Sequence, residues 1–271
     1  MDVAIIISTY NKAHFLELVF VGLSVQTHKN FKLYIADDGS SDNTPEIIEN
    51  AKKQYGFNIE HVWHPDNGFQ KTLILNKAIK RVKEPYVIFL DGDVIPQPTF
   101  VELHARYAKK GRYISSGALH LTEPTSNAIT KKDILDGSIF TASWLIKNDL
   151  PKSKNLLKLN NSYCVSKLLN ALFFFNGPTL NGNNSSVWLK DLVAVGGLDT
   201  RMGYGAEDRE LGTRLENAGI KGMQFRYLIT GLHLYHTRPY KNEEIITANR
   251  KIWDKTKREK ITKTPYGLSE I

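Results

Sequence analysis

Through roughly the first hundred residues, short β-rich runs alternate with stretches in which apolar side chains recur at helical spacing. VAIII at 3–7 is followed by a helical pattern over 13–26, KLYIA at 32–36 by one over 45–55, and IEHVW at 59–63 by one over 70–81, after which comes YVIFL at 86–90. Thr44, Pro45 and Glu46 make a good helix opening, because proline at the first helical position lacks only a donor that would have been unpaired anyway. Such alternation predicts βαβ units, and hence an α/β fold with a mostly parallel central sheet flanked by helices. The rhythm breaks over 145–176, where the basic stretch KNDLPKSKNLLK precedes the apolar LLNALFFF. Two readings stand there: a mobile or acceptor-facing excursion, and a buried helix. From Asn181 the pattern is compact again, and from Tyr240 it becomes a charged, lysine-rich helical tail.

Composition narrows the class. A chain of 271 residues, 41% hydrophobic and 24% charged, has enough apolar material for one large or two small domains with a sizeable core, which excludes a disordered chain. The single cysteine, Cys164, excludes an internal disulfide and a cysteine-rich metal site, and suggests a reducing compartment. The apolar runs near the start, 3–7 and 15–21, are too short or too interrupted to span a membrane, and no basic segment precedes them as in a signal peptide. The expectation is a soluble, cytoplasmic protein. Its formal charge of +8 favours anionic partners such as nucleotide phosphates or an acidic membrane surface, and equally serves solubility. Nucleic acid is not among the expected partners, because the lysines are scattered and no recognition module is present.

In open parallel sheets ligands bind beyond the carboxyl ends of the strands. Three such ends carry polar clusters: STYN at 8–11, DDGSSD at 37–42 and DGD at 91–93. Neither GxGxxG nor GxxxxGK[ST] occurs, so any nucleotide here is held by acids and short polar side chains. A carboxylate accepts from a base N–H or from ribose hydroxyls, which suits Asp38 and Asp91 to a nucleoside, while Asp93 suits a metal. Taken singly, DDGSSD reads equally as a turn. DGD as a calcium loop fails, because Val94, Ile95 and Pro96 stand where further oxygen ligands are needed.

The STYN, DDGSSD and DGD series resembles the family 2 glycosyltransferases of the GT-A fold. The block NGNNSSVWLKDLVAVGGLDTRMGYGAEDRELGTRLENAG at 181–219 is similar to the acceptor half shared by chondroitin-polymerase-type enzymes and the β1,4-galactosyltransferases. This resemblance covers about residues 1–105 and 181–240. It implies one GT-A domain: a Rossmann-like nucleotide-binding half (1–105), a variable acceptor-facing region (106–180), an acceptor and catalytic half (181–240) and the charged tail (241–271). By the same resemblance Thr9, Asn11 and Asp38 belong to the nucleotide pocket, Asp91 to the ribose side, and Asp93 to Mn²⁺ or Mg²⁺ bridging the diphosphate. Lys71 in DNGFQKTLILNKA is a diphosphate cation candidate, although the commoner pattern has arginine and a following asparagine in this stretch.

In HLYHTRPYKNE, His236 lies where galactosyltransferase-like enzymes have a metal-bound histidine, with His233 as second choice. An imidazole beside carboxylate and phosphate oxygens suits Mn²⁺ better than Ca²⁺. A zinc protease is excluded by the absence of HExxH. In GYGAEDREL, Asp208 is then the general base and Glu207 holds acceptor hydroxyls. Gly205 permits close approach or positive φ, and Tyr204 offers a face to a pyranose ring. The competing reading is a helix start whose acids complement the helix dipole.

The expectation is therefore an inverting, metal-dependent glycosyltransferase with a UDP-hexose or UDP-N-acetylhexosamine donor. Its acceptor is a glycan or lipid-linked saccharide, with peripheral contact at an anionic membrane face. The alternatives are a nucleotide-sugar-binding protein without turnover and a sugar nucleotidyltransferase, the latter disfavoured because STYN stands where a GTR-like signature belongs.

Overall fold

The computed structural model describes residues 1–159, 161–173 and 179–271. In chain order its elements are β1 (Val3–Thr9), α1 (Ala13–Ser24), β2 (Phe31–Asp37), α2 (Thr44–Tyr55), β3 (Ile59–Trp63), α3 (Lys71–Ile79) and β4 (Tyr86–Asp91). There follow β5 (Val94–Pro96), α4 (Phe100–Tyr107), β6 (Arg112–Ser115), β7 (Gly117–His120), α5 (Glu123–Asn127), α6 (Lys131–Leu135), α7 (Ala142–Lys147) and α8 (Tyr163–Phe173). The last part holds β8 (Asn184–Trp188), α9 (Leu189–Ala194), α10 (Glu207–Asn217), β9 (Lys221–Gln224), β10 (Thr230–His233) and α11 (Glu243–Arg258). The four strands and three helices expected over residues 3–90 are all present within two residues or so of their sequence boundaries.

A seven-stranded sheet runs β3-β2-β1-β4-β8-β6-β9. It is parallel at β3-β2-β1-β4 and at β6-β9, while β8 lies antiparallel between β4 and β6. Alternate residues of β1 feed two cores. Val3, Ile5 and Ile7 pack with Leu16, Val19 and Phe20 of α1 on one face. Ala4 and Ile6 pack with Ile74 and Ala78 of α3 and Leu211 and Leu215 of α10 on the other. With both faces covered, the strand can be apolar throughout, which is why VAIII shows no polar alternation. The chain steps outward from β1 through β2 to β3 and then crosses back by α3 to β4 on the other side of β1, so the crevice at the carboxyl ends of β1 and β4 is the switch point of the sheet.

A second, three-stranded sheet, β5-β10-β7, whose first strand follows directly on β4, is not expected from the hydrophobic pattern. The region read as a charged tail contains α11, which packs along α10 and is no free extension. Of the stretch 145–176, α7 buries Leu145, whereas α8 leaves most of its apolar side chains exposed; Phe174 and Phe175 of LLNALFFF lie outside the described residues. Among the described residues no helix is long and apolar enough to cross a membrane.

Candidate active site

A cleft of about 670 Å³ opens at the switch point. The ends of β1, β2 and β4 line it, together with the loops before α3 and α10 and the segment after β10. Every residue singled out from the sequence except Gly205 lines this cleft.

At the end of β4 the chain must turn sharply. A Cβ on Gly92 would lie 2.8 Å from the Ser8 carbonyl oxygen, so glycine alone lets the turn press against β1. Asp91 remains on the β1 side, accepting from Ser8 Oγ at 2.7 Å and from Lys71 Nζ at 2.6 Å. Asp93 is carried over to the small sheet, where β5 pairs antiparallel with β10 and Val94 stands opposite His233. That pairing brings His233 Nε2 to 3.7 Å and His236 Nε2 to 2.9 Å from the Asp93 carboxylate.

Both rings are oriented from behind: His233 Nδ1 lies 2.8 Å from the Leu234 carbonyl oxygen and His236 Nδ1 2.8 Å from that of Thr237. With Nδ1–H donating to a carbonyl, the Nε2 lone pair of a neutral ring faces Asp93, the arrangement a metal-ligating histidine requires. Asp93 Oδ1 is buried without a hydrogen-bond partner, and one ligand atom from each of the three residues lies within 4.8 Å of the others. The donor set of one carboxylate and two imidazoles fits a divalent transition ion such as Mn²⁺. Burial alone would raise the Asp93 pKa, but when the two rings are protonated instead, the His236 Nε2–H bond and the positive charges of His233, His236 and Lys71 outweigh it and take it down to about 2. His120, opposite His233 in the β7–β10 register, packs against that ring at 4.5 Å with the planes tilted by 39° and completes the wall.

On the nucleotide side, Thr9 Oγ1 is buried and unpartnered, open to a ligand. Asp38 is held by His64 Nε2 at 2.7 Å and by the Gln70 backbone N–H at 2.9 Å, which fixes its carboxylate at the cleft wall. Asn11 sits at φ 46° and uses its side-chain oxygen to accept the Ser41 and Asp42 backbone N–H groups, so it shapes the loop while its own backbone borders the cleft.

Opposite these lies the start of α10. Gly205 has φ 103° and Ala206 φ 70°, a left-handed pair that swings the chain into the helix. In an alanine that conformation costs roughly 1 kcal/mol, strain of a kind that gathers at functional sites. Glu207 accepts the Gly205 N–H at 2.8 Å. Asp208 accepts from the Arg209 N–H at 2.7 Å and from the Gly182 N–H of the neighbouring loop at 3.1 Å. Burial pushes Glu207 up to about 7, helped by the charge of Asp208 and opposed by Lys71; burial also raises Asp208, against its two N–H bonds. Lys71 feels Asp91, Glu207 and Asp93 together; their charges outweigh its burial and raise its pKa, keeping it cationic. The third acid of that first turn does other work: Glu210 is buried against Arg214 in a bidentate pair and is structural.

Several cleft residues escaped the sequence. Phe69 and Tyr240 join Tyr204, already singled out, in an aromatic cluster from three separate loops with ring centroids 4.9–6.0 Å apart. Lys12 and Arg238 add cations close to Asp93, and Asn181 and Gly182 form the wall beside Asp208. The only sequence trace of these is their nearness to recognised motifs, since what joins them is long-range strand pairing.

The model of the family described as glycosyl transferase family 2 matches residues 4–169. The chain belongs to this family. Among curated relatives it is 28% identical to the chondroitin synthase of Escherichia coli over 87% of this chain and 34% of that one. It is 25% identical to the hyaluronan synthase of Pasteurella multocida over 98% of this chain and 27% of that one. The chain thus spans about a quarter to a third of the length of these relatives. Solved structures with the same fold include TarS of S. aureus in complex with UDP-GlcNAc (TM-score 0.62, 14% identity, 93% of this chain and 65% of that one). Another is the mannosyltransferase PcManGT of Pyrobaculum calidifontis in complex with GDP-Man and Mn²⁺ (TM-score 0.59, 16% identity, 88% and 58%). The fold is the GT-A fold that the sequence motifs implied.

Proposed function

We propose that the chain is an inverting glycosyltransferase that moves a hexose or N-acetylhexosamine from a UDP-sugar to a hydroxyl of a glycan or lipid-linked saccharide. One observation carries this: a single cleft holds the Asp93–His233–His236 ligand set on one wall and Asp208 on another, with Lys71 sensing acids of both. The named ligands of the related folds, UDP-GlcNAc and GDP-Man, support a nucleotide-sugar donor.

In this reading Thr9 and Asp38 contact the nucleobase, Asp91 the ribose, and Lys71 sits beside the diphosphate. Asp93, His233 and His236 hold the divalent cation, Mn²⁺ in the first instance, which when bound neutralises charge on the departing diphosphate. Asp208 takes the proton of the acceptor hydroxyl as that oxygen attacks the anomeric carbon. The bond from carbon to the diphosphate oxygen breaks with its electron pair leaving on UDP, and the anomeric configuration inverts. A positioned base of this kind contributes ~10²- to 10⁴-fold. Glu207 hydrogen-bonds neighbouring acceptor hydroxyls, and Tyr204 and Gly205 shape the acceptor side; the cluster of Phe69, Tyr204 and Tyr240 gives the sugars an aromatic wall.

The test is a panel of UDP- and GDP-sugars incubated with Mn²⁺ and saccharide acceptors, with the anomeric configuration of the product read by NMR. Transfer with inversion is expected. Retention of configuration, or no turnover of any donor in the panel, would sink the proposal.

A further inference from the structure

Helix α8 is built inside out. Its inward side is polar or aromatic: Ser166 is buried, Asn170 Nδ2 donates to the Gln224 carbonyl at 3.2 Å, and the Tyr163 ring stacks on Tyr107 at 5.1 Å. Its outward side is aliphatic, with Val165 45%, Leu168 59% and Leu172 52% exposed, three and four residues apart and so in one stripe. A helix that only covers a core has the opposite polarity. Leu157 and Phe173 extend the exposed apolar surface, and Lys154 Nζ stands 5.6 Å over the Phe173 ring.

Charge is equally one-sided. From residue 150 to residue 190 the sequence contains no aspartate or glutamate, while Lys152, Lys154 and Lys167 are exposed on or beside the helix. An apolar stripe within a segment that carries exposed lysines and no acid of its own matches a surface that is anionic outside and hydrocarbon beneath. It does not match a second copy of itself, because in a two-fold dimer the same lysine rim would meet its own like charge.

We infer that α8 and the turn before it form a docking surface for an anionic lipid bilayer. The helix lies in the plane of the interface, with Val165, Leu168 and Leu172 entering the acyl boundary by roughly 5–10 Å. Lys152, Lys154 and Lys167 face the headgroups, each contributing roughly fivefold in affinity.

The experiment is cosedimentation of the full chain with vesicles of phosphatidylcholine plus phosphatidylglycerol, against phosphatidylcholine alone, over a salt series. Binding is scored without donor or acceptor, so the result stands whatever the reaction proves to be. Binding to the anionic vesicles at low salt, weakening as salt screens the lysines, is expected. Replacing Lys152, Lys154 and Lys167 together by Gln should lower vesicle affinity by ~10²-fold. Leu168→Asp with Leu172→Asp should abolish binding while thermal melts and donor turnover stay at wild-type level, since both side chains are exposed and outside the cleft. Three results would overturn the inference: no binding at low salt, binding indifferent to both sets of substitutions, or light scattering that shows a dimer dissociated by Leu168→Asp.

Discussion

A sugar hydroxyl yields its proton only to a carboxylate that is ionised, fixed and still has a lone pair to offer. Two backbone N–H groups, of Arg209 and Gly182, one per oxygen, fix Asp208 and favour its ionised form against the pull of burial. Asp208→Asn keeps the shape, removes the base and turns an amide group toward one of those N–H donors. Transfer should therefore fall by ~10²-fold or more with UDP affinity unchanged. Near wild-type turnover, with only a few tenths of a kcal/mol lost in thermal stability, would return the acidic pair to a helix-dipole role. Glu207 makes a separate forecast. Its pKa is pushed up to about 7, by burial first and by the Asp208 charge second, so it ionises in the working range. Each charge raises the basicity of the other carboxylate, so kcat/KM should rise as pH passes upward through about 7. In Glu207→Gln that rise should vanish while the steeper acid limb, set by protonation of Asp208, remains. A profile unchanged by this substitution would mean that the two carboxylates do not titrate as a pair.

At the scale of elements, the start of α10 is braced by α11. Asn249 is buried and its Nδ2 lies 3.2, 3.2 and 2.8 Å from the carbonyl oxygens of Gly203, Tyr204 and Gly205, while Ile245 and Ile246 pack against Gly203 and Gly205. Further along, Thr256 donates to Glu210 and Trp253 Nε1 to Thr213. Asn249→Ala leaves three carbonyls without that donor, at a stability cost of ~1–3 kcal/mol. Because the loop sets the position of Asp208, transfer should drop by up to ~10²-fold while UDP binding by calorimetry holds. Loss of both together would mark plain unfolding. This brace was illegible in the sequence, where two isoleucines and a tryptophan are scattered among the charges of what reads as a tail. By contrast β1, β2, β4 and their polar ends were legible, because strand, turn and acid lie within ten residues of each other and local periodicity reports them. The metal wall falls between these cases. Asp93 and His236 could be picked out by motif, but the role of His233 and His120 depends on β10 pairing with β5 and β7, and register across such separations leaves no local trace. For LLNALFFF the sequence leaves an excursion and a buried helix open, and α8 turns Leu168, Leu172 and Phe173 outward, against the buried helix.

At the scale of the whole molecule, the cleft sets acids against an acidic ligand. Asp91, Asp93, Glu207 and Asp208 line the same space as Lys12, Lys71 and Arg238, and Lys71 is already bound to Asp91. Free UDP entering this cleft meets carboxylates that repel its diphosphate, and a divalent cation placed there without UDP has, among the described residues, the three ligands Asp93, His233 and His236. Each ligand should therefore strengthen the other, and linkage makes that coupling reciprocal. A ligand at a hundred times its Kd stabilises the folded state by about 2.7 kcal/mol, so the coupling is visible in thermal melts. With UDP and Mn²⁺ together, the rise in melting temperature should exceed the sum of the rises with each alone, and chelation should return the UDP-bound protein to the small shift of UDP by itself. Asp93→Ala removes the shared ligand, so the two shifts should become additive; they are measured against the variant's own ligand-free melting temperature, because Asp93 Oδ2 also loses its 2.9 Å contact with His236 Nε2. Additive shifts in the wild-type protein would mean that nucleotide and cation do not meet in this cleft. Super-additive shifts surviving in Asp93→Ala would place the cation on other ligands.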